Sequence, residues 1–311
     1  MERLLVTGVD YPLGSNMARA LADRCDVMGL YARHQVDSPE VRTARCEAGD
    51  LATLERLVRA WEPRWILHCG PLSASSWDPA PSAAAAEDQP RVVAHLAKLA
   101  AEASARLTVI SSDIVFAGPR MFHEEDSPAT SPAPRAAHTL AMERTLESSD
   151  ALVVRTHAYG WSPTRATAGF AERAFDSLAS GIAVAADGRR HATPILATDL
   201  ADLLWRAFEL RLQGLVHLAG AERTSPWGFV SELAASVGLH WPGGRSEARA
   251  GAAVEWHDET SLNSKRGRRA LEMATPMMRE GVDRFVRQAH DGWRDRWRAA
   301  GRVSSTHEVA A

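Results

Sequence analysis

The sequence has few cysteines, no long apolar run and no large excess of either charge. Its three cysteines, Cys25, Cys46 and Cys69, have neither paired nor Cys-x-x-Cys spacing, so a disulfide framework is not expected. No apolar run approaches the ~20 residues that span a bilayer, and no signal-type segment precedes the first predicted strand. The 36 basic and 39 acidic side chains nearly cancel, which does not favour binding to nucleic acid or to an anionic membrane. We therefore expect a soluble cytoplasmic protein.

The amino-terminal stretch predicts a strand, a glycine turn and a helix. Residues 4–6 form a short apolar run, Gly8 follows it, and Gly14 stands six positions further on. A turn of this kind directs free helix N–H groups and the positive end of the helix dipole towards one point, which suits a dinucleotide pyrophosphate. Tyr11 occupies the middle position of the glycine fingerprint, where a missing side chain normally lets the backbone approach phosphate, and Asp10 adds negative charge. The pattern therefore predicts the fold more strongly than the ligand.

Strands and helices alternate along the chain that follows. Further apolar runs that predict strands lie at residues 26–31, 64–69, 107–110, 151–155 and 215–218. Residues with helical spacing, such as Leu54, Leu57 and Trp61, lie between them. Because such alternation builds a parallel sheet with helices on both faces, we predict an α/β protein with a Rossmann-type doubly wound parallel sheet and a smaller C-terminal substrate lobe.

The length of the chain allows two parts of unequal size. With 311 residues, of which 45% are hydrophobic, it can form one large core and a second, smaller one. We expect the dinucleotide-binding Rossmann domain to comprise residues 1–160, with residues 195–220 returning to it. The substrate-binding lobe is predicted from residues 161–194 and 221–300, and residues 301–311 are predicted to be a flexible tail.

The predicted binding crevice lies at one edge of the sheet. Ligands of doubly wound sheets bind at the carboxyl ends of the strands. In this chain that edge gathers Gly8, Cys69, Ser111, Ser112 and Asp113. These residues are therefore the first candidates for a functional site.

The end of the second strand bears on which cofactor the crevice accepts. An acidic residue there binds the adenosine ribose hydroxyls, whereas a basic residue accommodates a 2′-phosphate. The chain has Ala32, Arg33 and His34 at this point, so NADP is favoured over NAD if a dinucleotide binds. The alternative interpretation is that Arg33 and His34 are ordinary loop residues.

Several motifs occur in the order and spacing of one enzyme family. They are Thr7-Gly8 with Leu13-Gly14, residues 111–118, 124–126 and 140–143, Arg155-Thr156 with Tyr159-Gly160, Thr193-Pro194 with residues 198–201, and residues 216–220 and 261–265. In these motifs the chain resembles dTDP-4-dehydrorhamnose reductase, an extended short-chain dehydrogenase/reductase, as far as about residue 285. The resemblance implies a nicotinamide dinucleotide and a nucleotide-linked sugar. The predicted cofactor contacts are Gly8, Tyr11, Leu13, Gly14, Arg33, Asp50, Cys69 and Gly70.

The resemblance also implies catalysis by a serine or threonine and a Tyr-x-x-x-Lys pair, whose tyrosine protonates the carbonyl oxygen as hydride arrives. Ser112 matches the first position, but Arg135 stands where the tyrosine belongs and Thr139 where the lysine belongs. No Tyr-x-x-x-Lys occurs anywhere in the sequence. A guanidinium stays protonated near neutral pH, so Arg135 can hold an anion but cannot donate a proton as tyrosine does. We therefore expect that ketone reduction has been lost and that a dinucleotide is structural or absent.

Other side chains near the crevice are candidates for a different chemistry. His138 and Asp113 are the predicted base and acid, with Arg135 or Ser112 holding an oxyanion. The alternative is that His138 faces solvent and Asp113 caps a turn. The predicted substrate contacts are Ser111, His157, Tyr159, Arg190 and His191. Tyr159 has the alternative role of shaping the pocket, and the favoured alternative for Arg190 and His191 is a solvated basic turn after Asp187.

Three functions remain open from the sequence. The first is an enzyme that performs elimination, dehydration or isomerisation on a polar small metabolite without net redox change. The second is an NADP-dependent reductase or epimerase of a nucleotide-linked keto sugar with a replacement acid, and the third is a non-catalytic regulatory subunit. The expected partner is a small-molecule substrate rather than nucleic acid or a membrane, and a homodimer is left open. No metal site is predicted, because no cluster at ligand spacing accompanies His68 and Cys69.

Overall fold

The fold is built on a seven-stranded parallel sheet, as predicted. The computed structural model describes residues 1–47, 49–241 and 259–297, so the predicted tail at 301–311 lies outside the described residues. The strands are β1 (Glu2–Thr7), β2 (Cys25–Tyr31), β3 (Arg42–Arg45), β4 (Trp65–His68), β5 (Arg106–Ser112), β6 (Leu152–Thr156), β7 (Ala158–Tyr159), β8 (Ile195–Leu196) and β9 (Gly214–His217). The sheet order is β3-β2-β1-β4-β5-β6-β9, and β7 pairs separately with β8. The strand order reverses between β1 and β4, which is where ligands of such sheets bind.

Helices cover the sheet, and some of them pack together in a separate apolar cluster. They are α1 (Pro12–Ala20), α2 (Leu51–Trp61), α3 (Ala83–Glu87), α4 (Gln89–Glu102), α5 (Pro134–Arg144), α6 (Phe170–Ala179), α7 (Ala197–Glu209), α8 (Pro226–Ser236), α9 (Lys265–Leu271) and α10 (Met278–His290). The helical segment before β5 is divided into α3 and α4 at Asp88, with Pro90 in the first turn of α4. Proline is tolerated there because the first N–H groups of a helix have no intrahelical partner.

In the described part of the seven-stranded sheet, β3 is the strand that the sequence did not reveal. Strand β3 has only four residues, pairs only with β2, and exposes its terminal arginines Arg42 and Arg45. Because short edge strands are commonly polar, they lack the apolar run by which buried strands are recognised.

The buried apolar residues form three main clusters. Two lie on opposite faces of the sheet, one around Leu4 and Met17 and the other around Leu5 and Leu96. The third includes Phe285 and packs helices α6, α8 and α10 together. The expected division of the chain into two domains stays a prediction.

Two buried histidines are the last residues of strands β4 and β9. His68 lies with Nδ1 2.8 Å from Thr7 Oγ1 and Nε2 3.0 Å from Gln89 Oε1. Burial lowers its pKa to about 4. His217 donates from Nδ1 to the carbonyl of His123 at 3.0 Å, and burial, together with the charge of Arg155, lowers its pKa to about 3. Both imidazoles are therefore neutral in the folded protein at neutral pH.

These two histidines predict a loss of stability in mild acid. The unfolded chain takes up protons near pH 6.5, whereas the folded protein takes them up only near the depressed pKa values, so stability falls as the pH falls through this window. Each histidine lowers the free energy of unfolding by about 1.4 kcal/mol per pH unit between about pH 6 and pH 4.5. Urea denaturation at several pH values measures this slope. His68→Gln should make the slope shallower, whereas the same substitution at the exposed His240 should leave it unchanged; equal slopes for both variants would contradict the assignment.

Candidate functional site

The two glycines of the turn after β1 lie in close contact with neighbouring backbone atoms. Gly8 has φ +73°, and a Cβ atom there would lie 2.1 Å from the carbonyl oxygen of Cys69. A Cβ atom on Gly14 would lie 2.2 Å from the carbonyl oxygen of Gly8. Any larger residue at either position would clash with backbone, and Gly8 would also be strained. Both glycines are therefore required by the fold itself, whether or not a ligand binds beside them.

Tyr11 stands between two cavities in the crevice. Cavity A, of about 250 Å³, lies between the start of α1 and residues 158–160; it is lined by Leu13 among others. Cavity B, of about 80 Å³, lies between the glycine turn, the end of β2 and the start of α2. Tyr11, Arg33 and Gly70 line both cavities. Burial raises the pKa of the Tyr11 phenol, so it is protonated at neutral pH.

The start of α1 offers less to a phosphate than the fold usually does. Tyr11 donates its own N–H to the carbonyl of Gly8 at 3.0 Å, and Pro12, the first residue of the helix, has no N–H. The first free N–H of the helix is therefore that of Leu13. The positive end of the helix dipole remains, but one backbone donor is missing.

The Asp10 carboxylate binds the backbone just after the end of β2. Oδ2 accepts the backbone N–H groups of Ala32 at 3.2 Å and Arg33 at 2.9 Å. Oδ1 is buried and has no hydrogen-bond partner among the described residues. Asp50, at the far side of cavity B, caps α2 by accepting the N–H of Thr53 at 3.0 Å. The guanidinium of Arg33 is exposed and lies 3.4 Å from Ser82 Oγ.

Asp113 is the centre of a buried polar network at the end of β5. Its Oδ2 atom accepts from Ser76 Oγ at 2.6 Å, from Thr260 Oγ1 at 2.5 Å and from His157 Nδ1 at 2.7 Å. Its Oδ1 atom accepts the N–H of Ser76 at 2.9 Å. Burial alone would raise the pKa of Asp113, but the charge of His157 and these hydrogen bonds outweigh it and hold the pKa below its usual value. Asp113 is therefore a carboxylate at neutral pH.

Arg135 and Thr139 occupy the predicted positions on α5, but only Arg135 reaches the network. Arg135 is buried, and its Nη2 atom donates to the carbonyl of Ser75 at 2.9 Å. Its Nη1 atom is buried without a hydrogen-bond partner among the described residues. Burial lowers the pKa of Arg135, and the charges of Asp113 and Asp78 oppose that shift. Thr139 is buried and donates to the carbonyl of Arg135 at 2.9 Å, one turn earlier in its own helix.

The two donors at predicted catalytic positions bind consecutive carbonyls of one loop. Ser112 Oγ donates to the carbonyl of Ala74 at 2.7 Å, and Arg135 donates to that of Ser75. Ser76 is bound to Asp113, and Asp78 accepts from Ser75 Oγ at 2.8 Å. Residues 74–76, defined here as the plug loop, therefore supply the acceptors for both of these donors.

The remaining predicted residues are placed in different surroundings. Ser111 donates to Glu143 Oε1 at 2.5 Å beneath the site. The Tyr159 ring lines cavity A, but its hydroxyl lies next to Gly281 of α10, and burial raises its pKa. His138 is half-buried, lines none of the three cavities described here, and makes no hydrogen bond within the described part of the chain. His157, rather than His138, is the histidine that the fold brings to Asp113.

A third space, cavity C, adjoins the network on the other side of the plug loop. It has a volume of about 370 Å³, and Ser76 and Thr260 line it while donating to Asp113. Arg190 and His191, two of the predicted substrate contacts, also line it, and Arg190 is paired with Asp187 at 2.7 Å. Sequence reasoning missed Ser76 and Thr260, because neither lies in a motif or at the end of a sheet strand.

In the described structure no lysine lines the crevice in place of the amine of the family pair, and its tyrosines Tyr11 and Tyr159 lie away from the Arg135 position. The sequence has two lysines: Lys98 is exposed on α4 and Lys265 is exposed at the start of α9. Neither lines cavity A, B or C. Within residues 1–47, 49–241 and 259–297, no group of three His, Cys, Asp or Glu side chains is arranged to hold a metal ion. The same residues include no helix long and apolar enough to cross a bilayer.

The parallel sheet, the glycine turn and the crevice at the strand ends define a Rossmann-type protein of the extended short-chain dehydrogenase/reductase class. A family model described as the RmlD substrate binding domain matches residues 1–290. The chain belongs to this family. No curated protein matches it by sequence.

Solved structures share the fold at low sequence identity. A hypothetical dTDP-4-dehydrorhamnose reductase from Sulfolobus tokodaii is 22% identical, with a TM-score of 0.72 over 88% of this chain and 96% of that one. The dTDP-4-dehydrorhamnose reductase from Bacillus anthracis, solved with NADP, is 16% identical, with a TM-score of 0.71 over 92% and 98%. The dTDP-glucose 4,6-dehydratase from the same organism, solved with NAD, is 13% identical, with a TM-score of 0.74 over 96% and 98%. At these identities the likeness shows the fold alone.

Proposed function

We propose that this protein is a sugar-nucleotide enzyme that moves protons rather than reducing a ketone. The observation that carries the proposal is the replacement of the family's tyrosine by Arg135, a buried cation bonded to Ser75 O. A permanently protonated guanidinium stabilises an oxyanion but does not donate the proton that completes ketone reduction. The reaction class is elimination, dehydration or isomerisation next to a carbonyl.

The proposed roles follow from which groups remain unpaired. Arg135 Nη1 is a buried donor that has no hydrogen-bond partner in the part of the chain that the structure describes, so a carbonyl or enolate oxygen of the substrate would satisfy it. His157 is oriented through Nδ1 by Asp113, and Nε2 makes no hydrogen bond with a described residue. An imidazole held in this way by a carboxylate is a suitable base. We assign proton transfer to His157 and its orientation to Asp113.

The substrate is proposed to enter from cavity C, where the volume suits a sugar ring. Ser76 and Thr260 line that cavity and are both bonded to Asp113, so they connect it to the buried pair. For substrate to bind, the plug loop would have to move away, so that Ser112 or Arg135 donates its hydrogen bond to the substrate oxygen instead of to the loop carbonyl. Loop closure and opening of this kind is common in enzymes that exclude water from their sites.

A nicotinamide dinucleotide fits one end of the crevice better than the other. Cavity B is lined by the carboxylates of Asp10, beside the end of β2, and Asp50, at the start of α2, which suits the hydroxyl groups of an adenosine. The phosphate-binding turn is less favourable, because Pro12 has no N–H to donate. The Tyr11 side chain also stands between cavities A and B. When bound, a nicotinamide ring supplies a hydride acceptor or donor. We propose that a dinucleotide serves this chain structurally, held mainly through its adenosine end.

The test uses dTDP-4-dehydrorhamnose, the keto sugar after which the bacterial relatives are named. The purified protein is incubated with it in D₂O, with and without NADPH, and followed by NMR and by absorbance at the NADPH band. We expect deuterium incorporation or a new product without net NADPH oxidation. Stoichiometric NADPH consumption would overturn the proposal in favour of a reductase with a replacement acid.

A second candidate, a regulatory subunit, is favoured by one observation. Ser112 and Arg135 already donate to the plug loop, as they would in a site that no substrate enters. This function predicts no solvent exchange into the keto sugar. It also predicts that a partner enzyme co-purifies with the chain, and that the activity of this partner enzyme changes when the two proteins are mixed.

A further inference from the structure

We propose that Asp10 makes the crevice select adenine nucleotides with a free 2′-hydroxyl, and therefore NAD over NADP. The inference rests on the proposed binding of a dinucleotide through its adenosine end, and it does not depend on the reaction. It reverses the preference that Arg33 suggests from the sequence. The observations are the position of the Asp10 carboxylate, its unpaired oxygen and the charges around cavity B.

The Asp10 carboxylate lies where this fold recognises the ribose. In doubly wound sheets an acid at the end of β2 binds the ribose hydroxyls. The chain has no acid among residues 32–34, but Asp10 reaches that point from the glycine turn and binds the N–H groups of Ala32 and Arg33. Asp10 therefore supplies from a different element the acid that β2 lacks.

The unpaired oxygen determines which chemical group can bind there. Asp10 is only 1% exposed, it lines cavity B, and its Oδ1 atom has no partner among the described residues. A buried carboxylate oxygen gains a large stabilisation from a donor. A ribose hydroxyl can donate a hydrogen bond to it, whereas an ionised 2′-phosphate presents only acceptors and further negative charge. The site therefore favours the hydroxyl for both reasons.

The competing cation is placed less favourably. Arg33 is exposed, and its guanidinium extends to Ser82 at the outer rim of the crevice. An exposed charge is screened by water and salt, whereas the buried Asp10 charge is not. The backbone N–H groups of Ala32 and Arg33, which could hold a phosphate oxygen, are already bound by Asp10. We therefore expect Asp10 to outweigh Arg33.

Calorimetric titration of the full chain tests the proposal without any variant. The probes are NAD and NADP, together with adenosine 5′-monophosphate and adenosine 2′,5′-bisphosphate, which avoid the region beside Tyr11. We expect each probe without a 2′-phosphate to bind at least about tenfold more tightly than its counterpart. Equal affinities, a preference for the 2′-phosphate, or no binding of any probe would overturn the proposal. None of these outcomes bears on solvent exchange into the keto sugar.

Variants then assign the selectivity to the residue. Asp10→Asn keeps an acceptor oxygen for the backbone N–H groups but loses the charge, and Asp10→Ser removes both charge and bulk. We expect the NAD:NADP affinity ratio to fall at least fivefold in each variant that retains the wild-type melting profile. Asp37→Asn, which removes an equal charge from a side chain paired with Gln35, is the matched control and should keep the wild-type ratio. The assignment would be contradicted if Asp10→Asn left the NAD:NADP affinity ratio unchanged, or if Arg33→Ala changed that ratio more than Asp10→Asn did.

Discussion

Replacing Glu143 with alanine is expected to lower the free energy of unfolding by about 3–5 kcal/mol. Glu143 projects from α5 and accepts from Arg155 on β6 through Nε at 2.9 Å and Nη2 at 2.7 Å. Ser111 on β5 donates to the same carboxylate at 2.5 Å. The side chains of the ion pair are only 7% and 10% exposed, so the variant would leave the arginine charge buried without its partner. Chemical denaturation measures the change.

Two further variants make the result specific to the buried pair. Glu147→Ala removes an exposed carboxylate just beyond the same helix, and we expect it to change the stability by less than about 0.5 kcal/mol. Replacing Glu143 and Arg155 together by leucine should cost less than Glu143→Ala, because no unpaired charge is left. If Glu143→Ala were as mild as Glu147→Ala, the ion pair would not hold α5 to the sheet in the way described.

The parts of the fold that the sequence predicts are those with a local signal. The glycines at 8 and 14 mark the turn because only a residue without a side chain fits there. The buried strands are predictable because a strand covered on both faces is an apolar run. Strand β3 has no such run, since it lies at the edge of the sheet and only its middle residues are partly covered.

Part of the candidate site could be predicted from the residues that follow the ends of the strands. Ser112 and Thr156 are register partners in β5 and β6, so the residues that follow them, Asp113 and His157, emerge side by side. That adjacency follows from a parallel sheet once the strand order is known. His138 was the more obvious histidine by motif position, but its place on α5 keeps it from hydrogen bonding to the described residues.

Other contacts have no signal in the sequence. Ser76 and Thr260 meet at 3.0 Å although 184 positions separate them, because two irregular segments cross at the network. The path of Asp10 to the end of β2 likewise depends on the shape of the glycine turn. Contacts of this kind arise from tertiary packing and cannot be read from periodicity or composition.

His157→Gln is expected to slow solvent exchange into the keto sugar by about 10² to 10⁴-fold, the usual contribution of a positioned base. Glutamine retains a polar group that can bond to Asp113 but cannot take up a proton near neutral pH. Asp113→Asn should slow the reaction as well, because the imidazole would lose the carboxylate that orients it at 2.7 Å. Deuterium incorporation measured by NMR under saturating substrate gives the rates.

The matched control is His138→Gln, the same substitution at the histidine that the fold leaves outside the network. We expect it to retain at least half of the wild-type rate. A structural role for His157 would lower the melting temperature and the rate together, whereas loss of a base lowers the rate in a protein that keeps the wild-type melting temperature. If the rate fell with His138→Gln and not with His157→Gln, the base would be His138 on α5. The Asp113–His157 pair would then serve only packing beneath the site.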